Sequence, residues 1–457
     1  VKNVRIALVI LAVLAASGCG RNSALFSPPT EPPDIPAAIA LMDASASAIK
    51  IRWNDASDNE ASFVVQRSAD ASFTTVVEIV LPAGSVTWTD AEGLAPDTDY
   101  YYHVCARNAI GDSPFTDTLI ARTEAVTVIE QGLRVADHRI VGMIPSGQLP
   151  IADIQNAKAG LHIAYGHTSH GSQLTTGMQG LVAFANGSGC GGAYAGSQDL
   201  FSFDWNGEGG ALHLREGNEF MNADAGYYST VLTMEQYFAA KDYWILHRED
   251  PTPPPHPDSN WEYETRYFLG PPSDRREGTE SINVIIWSWC GQVGGKNETT
   301  IYSEYLTPMV ELQQDYPGIT FIYMTGHLDG GGATGAAHTM NDYIRAHCAE
   351  AGTNRWLFDF EDIETYDPDG ISYLDFFVSD GCVYAFNGNG WCDRGEHTEV
   401  LPANGARNWA LDWQAAHVPG TDWFDCGAAH SVSVNANMKA YAAWWLWARL
   451  SGWDIAP

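Results

Sequence analysis

Hydrophobic and polar positions divide the chain into two differently patterned stretches. Between residues 37 and 124 the apolar residues fall in short runs. Several alternate with polar ones, as in strands buried on one face. "AIKIRWND", "SFVVQRSA", "TTVVEIV", "SVTWTDA", "YYYHVCARN" and "TLIART" are rich in β-branched and aromatic residues and predict consecutive strands. From residue 125 to 457 the apolar runs are continuous, suited to strands buried on both faces, and alternate with helical stretches. "LHIAYG" (161–166), "INVIIWSW" (282–289), "ITFIYMTG" (319–326) and "RWLFDF" (355–360) predict strands of a mainly parallel sheet. "PIADIQNAKAG", "EYLTPMVELQQDY", "TMNDYIRAHCAEAG" and the terminal "NANMKAYAAWWLWARLSGW" predict helices, the last with an aromatic face that packs into the core. Residues 186–280 are poorly patterned, rich in glycine and proline, and predict long insertions at the active face.

Composition narrows the class. At 457 residues the chain exceeds one ordinary domain, and 45% hydrophobic content excludes wholesale disorder. Against 24 Lys and Arg stand 56 Asp and Glu, a formal charge of −32. Nucleic-acid binding needs a basic footprint, so it is excluded as a function.

The first residues, "VKNVRIALVILAVLAASGCG", combine Lys2 and Arg5 with an apolar run and a small-residue stop, the pattern of an export signal. The run is too short for a comfortable transmembrane helix. Ala16-Ser17-Gly18-Cys19 resembles the lipobox of bacterial lipoproteins. That resemblance implies lipidation of Cys19 and an exported protein at the outer membrane or cell surface, held by its lipid anchor only. An ordinary secretory signal is the alternative. Residues 1–19 are thus signal peptide and lipobox, and residues 20–36, with "SPPTEPPDIP", a proline-rich tether. Among the remaining cysteines, Cys382 with Cys392 and Cys392 with Cys426 are rival pairings allowed in an oxidising compartment. No C-x-x-C occurs, against a zinc ribbon.

Residues 37–124 carry a resemblance. Trp53 on an early strand, and Leu94, Pro96, Thr98, Tyr100, Tyr102, Val104, Ala106, Asn108 and Gly111 in alternating register, resemble the fibronectin type III family. This implies a seven-stranded β-sandwich with a tyrosine-corner-like turn. Cys105 is expected as a small packing residue. No catalytic set is evident there, and the module reads as a spacer or weak binding unit.

In an open parallel sheet, ligands bind beyond the carboxyl ends of the strands. His167, Ser169 and His170 follow the first predicted strand of residues 125–457. Cys290, Gly291 and Gln292 follow the second, His327 and Asp329 the third, Asp362 and Glu364 the fourth. Four loops of reactive groups on one edge predict a site. "IAYGHTSHGSQL", "WSWCGQ", "YMTGHLDG", "YDPDG" and "AAHS" before the last helix resemble the blocks of a divergent SGNH (GDSL-like) hydrolase, with H-x-S-x-G in place of G-D-S. The resemblance runs across most of residues 135–457. It implies a three-layer α/β/α domain and a serine esterase without cofactor or metal. On it, Ser169 matches the nucleophile and His430 the base. Gly226 and Gln292 match the oxyanion-hole donors, together with the N–H of Ser169. Gln292 replaces the usual asparagine. The family's Asp three residues before the histidine is absent, since Gly427 stands there. Asp425 is the nearest substitute, and a backbone carbonyl the alternative.

His167, His170 and His327 are expected as substrate-contacting or structural. Fibronectin modules often accompany bacterial carbohydrate-active enzymes, so the expected substrate is an ester-bearing carbohydrate or a small ester. Two other classes compete. His167, His170, His327, Asp329 and His430 form a candidate zinc set for a metal-dependent hydrolase, although no H-E-x-x-H is present. Sixteen tryptophans and twenty tyrosines also suit a non-catalytic glycan-binding lipoprotein. "DIETYDPDG" (362–370) hints at a calcium loop but lacks the full pattern, and is expected as a solvated acidic turn.

Overall fold

A computed structural model describes residues 29–45, 48–123, 134–167, 169–217, 261–289, 291–385 and 406–454. Cys19, Gly226, Cys290 and Cys392 lie outside the described residues. Contacts divide the chain into two compact units, one of residues 1–128 with 369–371, the other of 129–368 with 372–457.

The first unit is all-β. Strands β1 (Ala37–Ala44), β2 (Ile49–Asn54) and β5 (Thr87–Asp90) form one sheet in the order β1-β2-β5. Strands β3 (Ser62–Ser68), β4 (Val77–Pro82), β6 (Asp99–Arg107) and β7 (Leu119–Arg122) form the other, in the order β4-β3-β6-β7. All pairings are antiparallel. The alternation in the sequence is the reason. Ile49, Ile51 and Trp53 of β2 enter one core with Tyr100, Tyr102 and Val104 of β6. The Tyr100 hydroxyl accepts from the Ala95 N–H at 2.7 Å, tying the preceding turn to β6. These sheets fit a fibronectin type III module. Strand β1 lacks the β-branched and aromatic runs that predict the other strands. Its "AAIALMDA" is alanine-rich, and two register shifts interrupt its pairing with β2.

The second unit is built on a seven-stranded, wholly parallel sheet. Its strands are β8 (Val135–Ala136), β9 (His162–Gly166), β10 (Phe203–Asp204), β11 (Leu212–Gly217), β12 (Val284–Trp287), β13 (Thr320–Met324) and β14 (Trp356–Phe358). Their order is β10-β11-β9-β12-β13-β14-β8. Ala164, Ile285, Phe321, Tyr323 and Leu357 share a core with Leu306, Met309 and Leu312, and with Met340 and Ile344 of the helix Ala336–Cys348. Alternate strand residues such as Ile163 and Tyr165 are buried on the other side. The helix Ser433–Leu450 is buried along almost its whole length and packs with helices Ile151–Gly160, Ser172–Asn186 and Phe360–Thr365. A two-stranded ribbon of β15 (Val383–Ala385) and β16 (Ala406–Asn408) stands apart.

Residues 186–280 are not only loops, since β10 and β11 extend the sheet and a helix spans Trp261–Leu269. The helix Ser172–Asn186 was not anticipated. Its buried Leu174, Met178 and Leu181 have helical spacing, but glycines and threonines between them weaken the pattern.

Candidate active site

Because all seven strands are parallel, their carboxyl ends share one edge. The residues after β9, β12, β13 and β14 therefore meet there. Ser169 lies exposed in the turn after β9, and its carbonyl accepts from Ser172 at the start of the following helix. His170, one residue on, is buried. Its ring is sandwiched between two others. His327 stacks on one face with centroids 3.8 Å apart and planes 8° from parallel. His430 stacks on the other at 4.2 Å and 16°. Three loops far apart in sequence thus build one column of imidazoles.

A carboxylate completes the column. His170 Nε2 lies 2.9 Å from Asp380 Oδ2. Burial pushes the Asp380 carboxyl up, but the hydrogen bond from His170, the adjacent His327 and His170, and the Gly381 N–H together hold it below the usual range. His170 Nε2 is therefore the donor to an ionised partner. Asp380 is brought there by an antiparallel bridge between Asp329 and Ser379. His327 Nδ1 lies 2.6 Å from the Leu328 carbonyl, which can only accept, so this nitrogen carries the proton. Its Nε2 is buried, with no hydrogen-bond partner among the described residues. His430 adopts left-handed backbone with φ 64°, a conformation a non-glycine residue holds only where its surroundings enforce it.

His167 leaves the column and pairs with Glu216 of β11, Nε2 to Oε2 at 2.9 Å. Gln292 begins the short 3-10 turn Val293–Gly295 after β12. Asp425 Oδ1 accepts from the Ser433 hydroxyl at 2.8 Å, at the start of the last helix. Asp329 turns back on its own loop, its carboxylate accepting from the Gly331 N–H at 2.8 Å. Of the candidate zinc ligands, His170 and His327 converge, with Asp380 as the third group; their ligand atoms lie within 4.8 Å of one another. Cys382 and Cys426 are free thiols, and burial pushes each up to about 12. The acidic turn is not solvated. Asp362 hydrogen-bonds His138, Asp367 takes the Tyr373 hydroxyl, and Glu364 is fully buried against Lys439. The carboxylates in "DIETYDPD" are drawn inward because cations and donors on neighbouring elements pair with them.

Three residues at this edge went unnoticed in the sequence. Asp380, in "VSDGC", has no distinguishing pattern. Gln173 is an unremarkable polar residue. Lys439 did carry a signal: it is the only charge in the stretch "NANMKAYAAWWLWA".

No family model matches the chain, and no curated protein matches it. Among solved structures, it is similar to the FN1–FN3 domains of chicken CNTN1, with 21% identity and TM-score 0.19, over 20% of this chain and 31% of that one. A myokine structure is similar at 19% identity and TM-score 0.19, over 20% of this chain and 98% of that one. Three consecutive titin domains are similar at 21% identity and TM-score 0.19, over 21% of this chain and 33% of theirs.

Proposed function

We propose that the chain is a serine ester hydrolase of SGNH type, carried behind a fibronectin type III spacer and anchored to the cell surface through Cys19. The support is the imidazole column. His430 stacks on His170, the residue next to Ser169, and Asp380 accepts from His170. A serine alcohol is inert at neutral pH and needs an adjacent base.

In this reading Ser169 Oγ attacks the ester carbonyl and its proton passes to the ring of His430. The Asp380 carboxylate favours positive charge on the column as that proton arrives. The Ser169 N–H and the Gln292 amide face the oxyanion. The leaving alcohol takes the proton back, and water then releases the acyl group by the same route. Exposed Ser169 suits a bulky ester, and an acylated polysaccharide is the substrate class we favour.

A zinc hydrolase is the second reading, favoured by the convergence of His170, His327 and Asp380. Ring geometry ranks it lower. In-plane lone pairs on near-parallel rings 3.8 Å apart do not point at a common centre, and zinc requires each nitrogen at about 2.0–2.1 Å.

Labelling with a serine-directed fluorophosphonate, with and without chelator, tests both. Modification of Ser169 that survives chelation supports the esterase. Absence of labelling, or hydrolysis abolished by the chelator, would sink it.

A further inference from the structure

Nothing in the rings themselves explains why three loops from distant parts of the chain hold them in register. The answer lies one layer deeper. Lys439 and Glu364 form an ion pair at 2.6 Å, both side chains fully buried. An ammonium has three protons, and all three are used here. They go to Glu364 Oε1, to Asn435 Oδ1 at 3.1 Å, and to Gln173 Oε1. The Phe360 ring lies 3.9 Å from the ammonium and adds a cation–π contact.

Each partner then reaches one histidine loop. Gln173 follows His170 by three residues, and its Nε2 donates to the Ala429 carbonyl at 2.5 Å, just before His430. Asn435 donates to the Ser431 hydroxyl at 2.7 Å, just after His430. Glu364 Oε2 accepts from the Leu328 N–H at 3.0 Å, just after His327. One ion pair thus holds chain next to His327 and on both sides of His430, and reaches the His170 turn through Gln173.

We propose that the Lys439–Glu364 pair is the positioning device of the catalytic edge, setting the spacing and alignment of the three imidazoles. The proposal rests on the hydrolase reading above. An apolar pair of similar volume commonly matches or exceeds the stability of a buried ion pair. What it cannot do is satisfy donors and acceptors on three loops at once. The pair touches no substrate. It acts through the backbone beside the rings, and misplacement by about 1 Å costs on the order of a hundredfold in rate.

The test uses the full chain and two variants. Glu364→Gln/Lys439→Met removes both charges, keeps most of the volume and leaves no unpaired ion. Gln173→Leu removes the link from Lys439 to Ala429, and with it one of the ammonium's three acceptors, while Glu364 and Asn435 stay in place. Ring-proton resonances of His170, His327 and His430, assigned with single His→Asn variants, report the stack without any substrate. We expect a cooperative melt for the double variant, downfield movement of the His170 ring protons as ring-current shielding is lost, and kcat for a small ester lower by about tenfold or more with KM within about twofold. Gln173→Leu should move the His430 resonances and leave those of His327 in place. Wild-type ring shifts and wild-type kcat in either folded variant would overturn the proposal. If the double variant does not fold, the Gln173→Leu spectrum decides alone. Fluorophosphonate labelling of the wild type, run in parallel, reports on the hydrolase reading separately. Altered ring shifts in variants of a protein that never labels would refute that reading while leaving the pair as the element that aligns the rings.

Discussion

Strand β9 starts at one histidine, His162, and leads into the turn that carries another, His170, and the two have opposite surroundings. At its start, His162 faces His213 of the neighbouring strand β11. Arg215 Nε donates to His213 Nε2, so His213 Nδ1 holds the proton and donates to His162 Nδ1 at 2.8 Å. Burial first, then Arg215 and His162, lower His213 to about 4. His213 is thus held neutral at pH 7 and locked against His162. Four residues beyond its other end, His170 has an ionised carboxylate partner, and His327 Nε2 is buried without a hydrogen-bond partner among the described residues. The same residue type meets an arginine at one end of the strand and a carboxylate beyond the other. A histidine cluster is therefore not a site in itself, and the charge around it decides.

The largest effect is expected from Ser169→Ala. Ester turnover should fall by about a thousandfold or more, while the melting temperature stays within about 2 °C because the residue is exposed. A variant with near wild-type turnover would remove the nucleophile from the scheme.

The locked pair makes a pH prediction. His213 is lowered from 6.5 to about 4, so between those values the unfolded chain binds a proton that the folded one refuses. Stability should fall as pH drops through that window, by about 3 kcal/mol in all. Denaturant melts of wild type and His213→Asn at pH 7 and pH 4 check this, since the variant should lose that part of the dependence. Asp380 behaves differently. Its carboxyl is lowered, so its contribution is complete above the unfolded value of about 3.9 and is lost only as pH falls below it.

Next in size is Asp380→Asn, which leaves the His170 ring without an anionic partner. We expect kcat lower by about a hundredfold, whereas His213→Asn leaves kcat unaltered at pH 7. Equal losses in both variants would erase the distinction between the two ends of β9.

The smallest effect belongs to Gly171, where the loops after β9 and β12 touch. A Cβ there would meet Ser288 Oγ at 2.1 Å and His167 Cβ at 2.4 Å. Its φ of −62° is ordinary, so the penalty is purely steric. Gly171→Ala should destabilise by about 1–3 kcal/mol in a thermal melt, with a proportionate loss of activity.

Periodicity alone was enough to separate an all-β stretch from an α/β stretch, because burial on one face or two writes itself into local order. It also placed His167, Ser169, His170, Gln292 and His327 after strands whose parallel pairing puts them on one edge. What local order could not supply is partnership. His167 looks equivalent to His170 in "HTSHGSQ", yet one pairs with Glu216 on a neighbouring strand and the other with Asp380. Glu364 reads as one more acid in an acidic run, and only the position of Lys439 on the last helix draws it into the core. Hydrophobic pattern is a property of neighbours along the chain. Polar pairing between residues 170 and 380, or 364 and 439, is a property of neighbours in space, and only the packed sheet and helices bring those together.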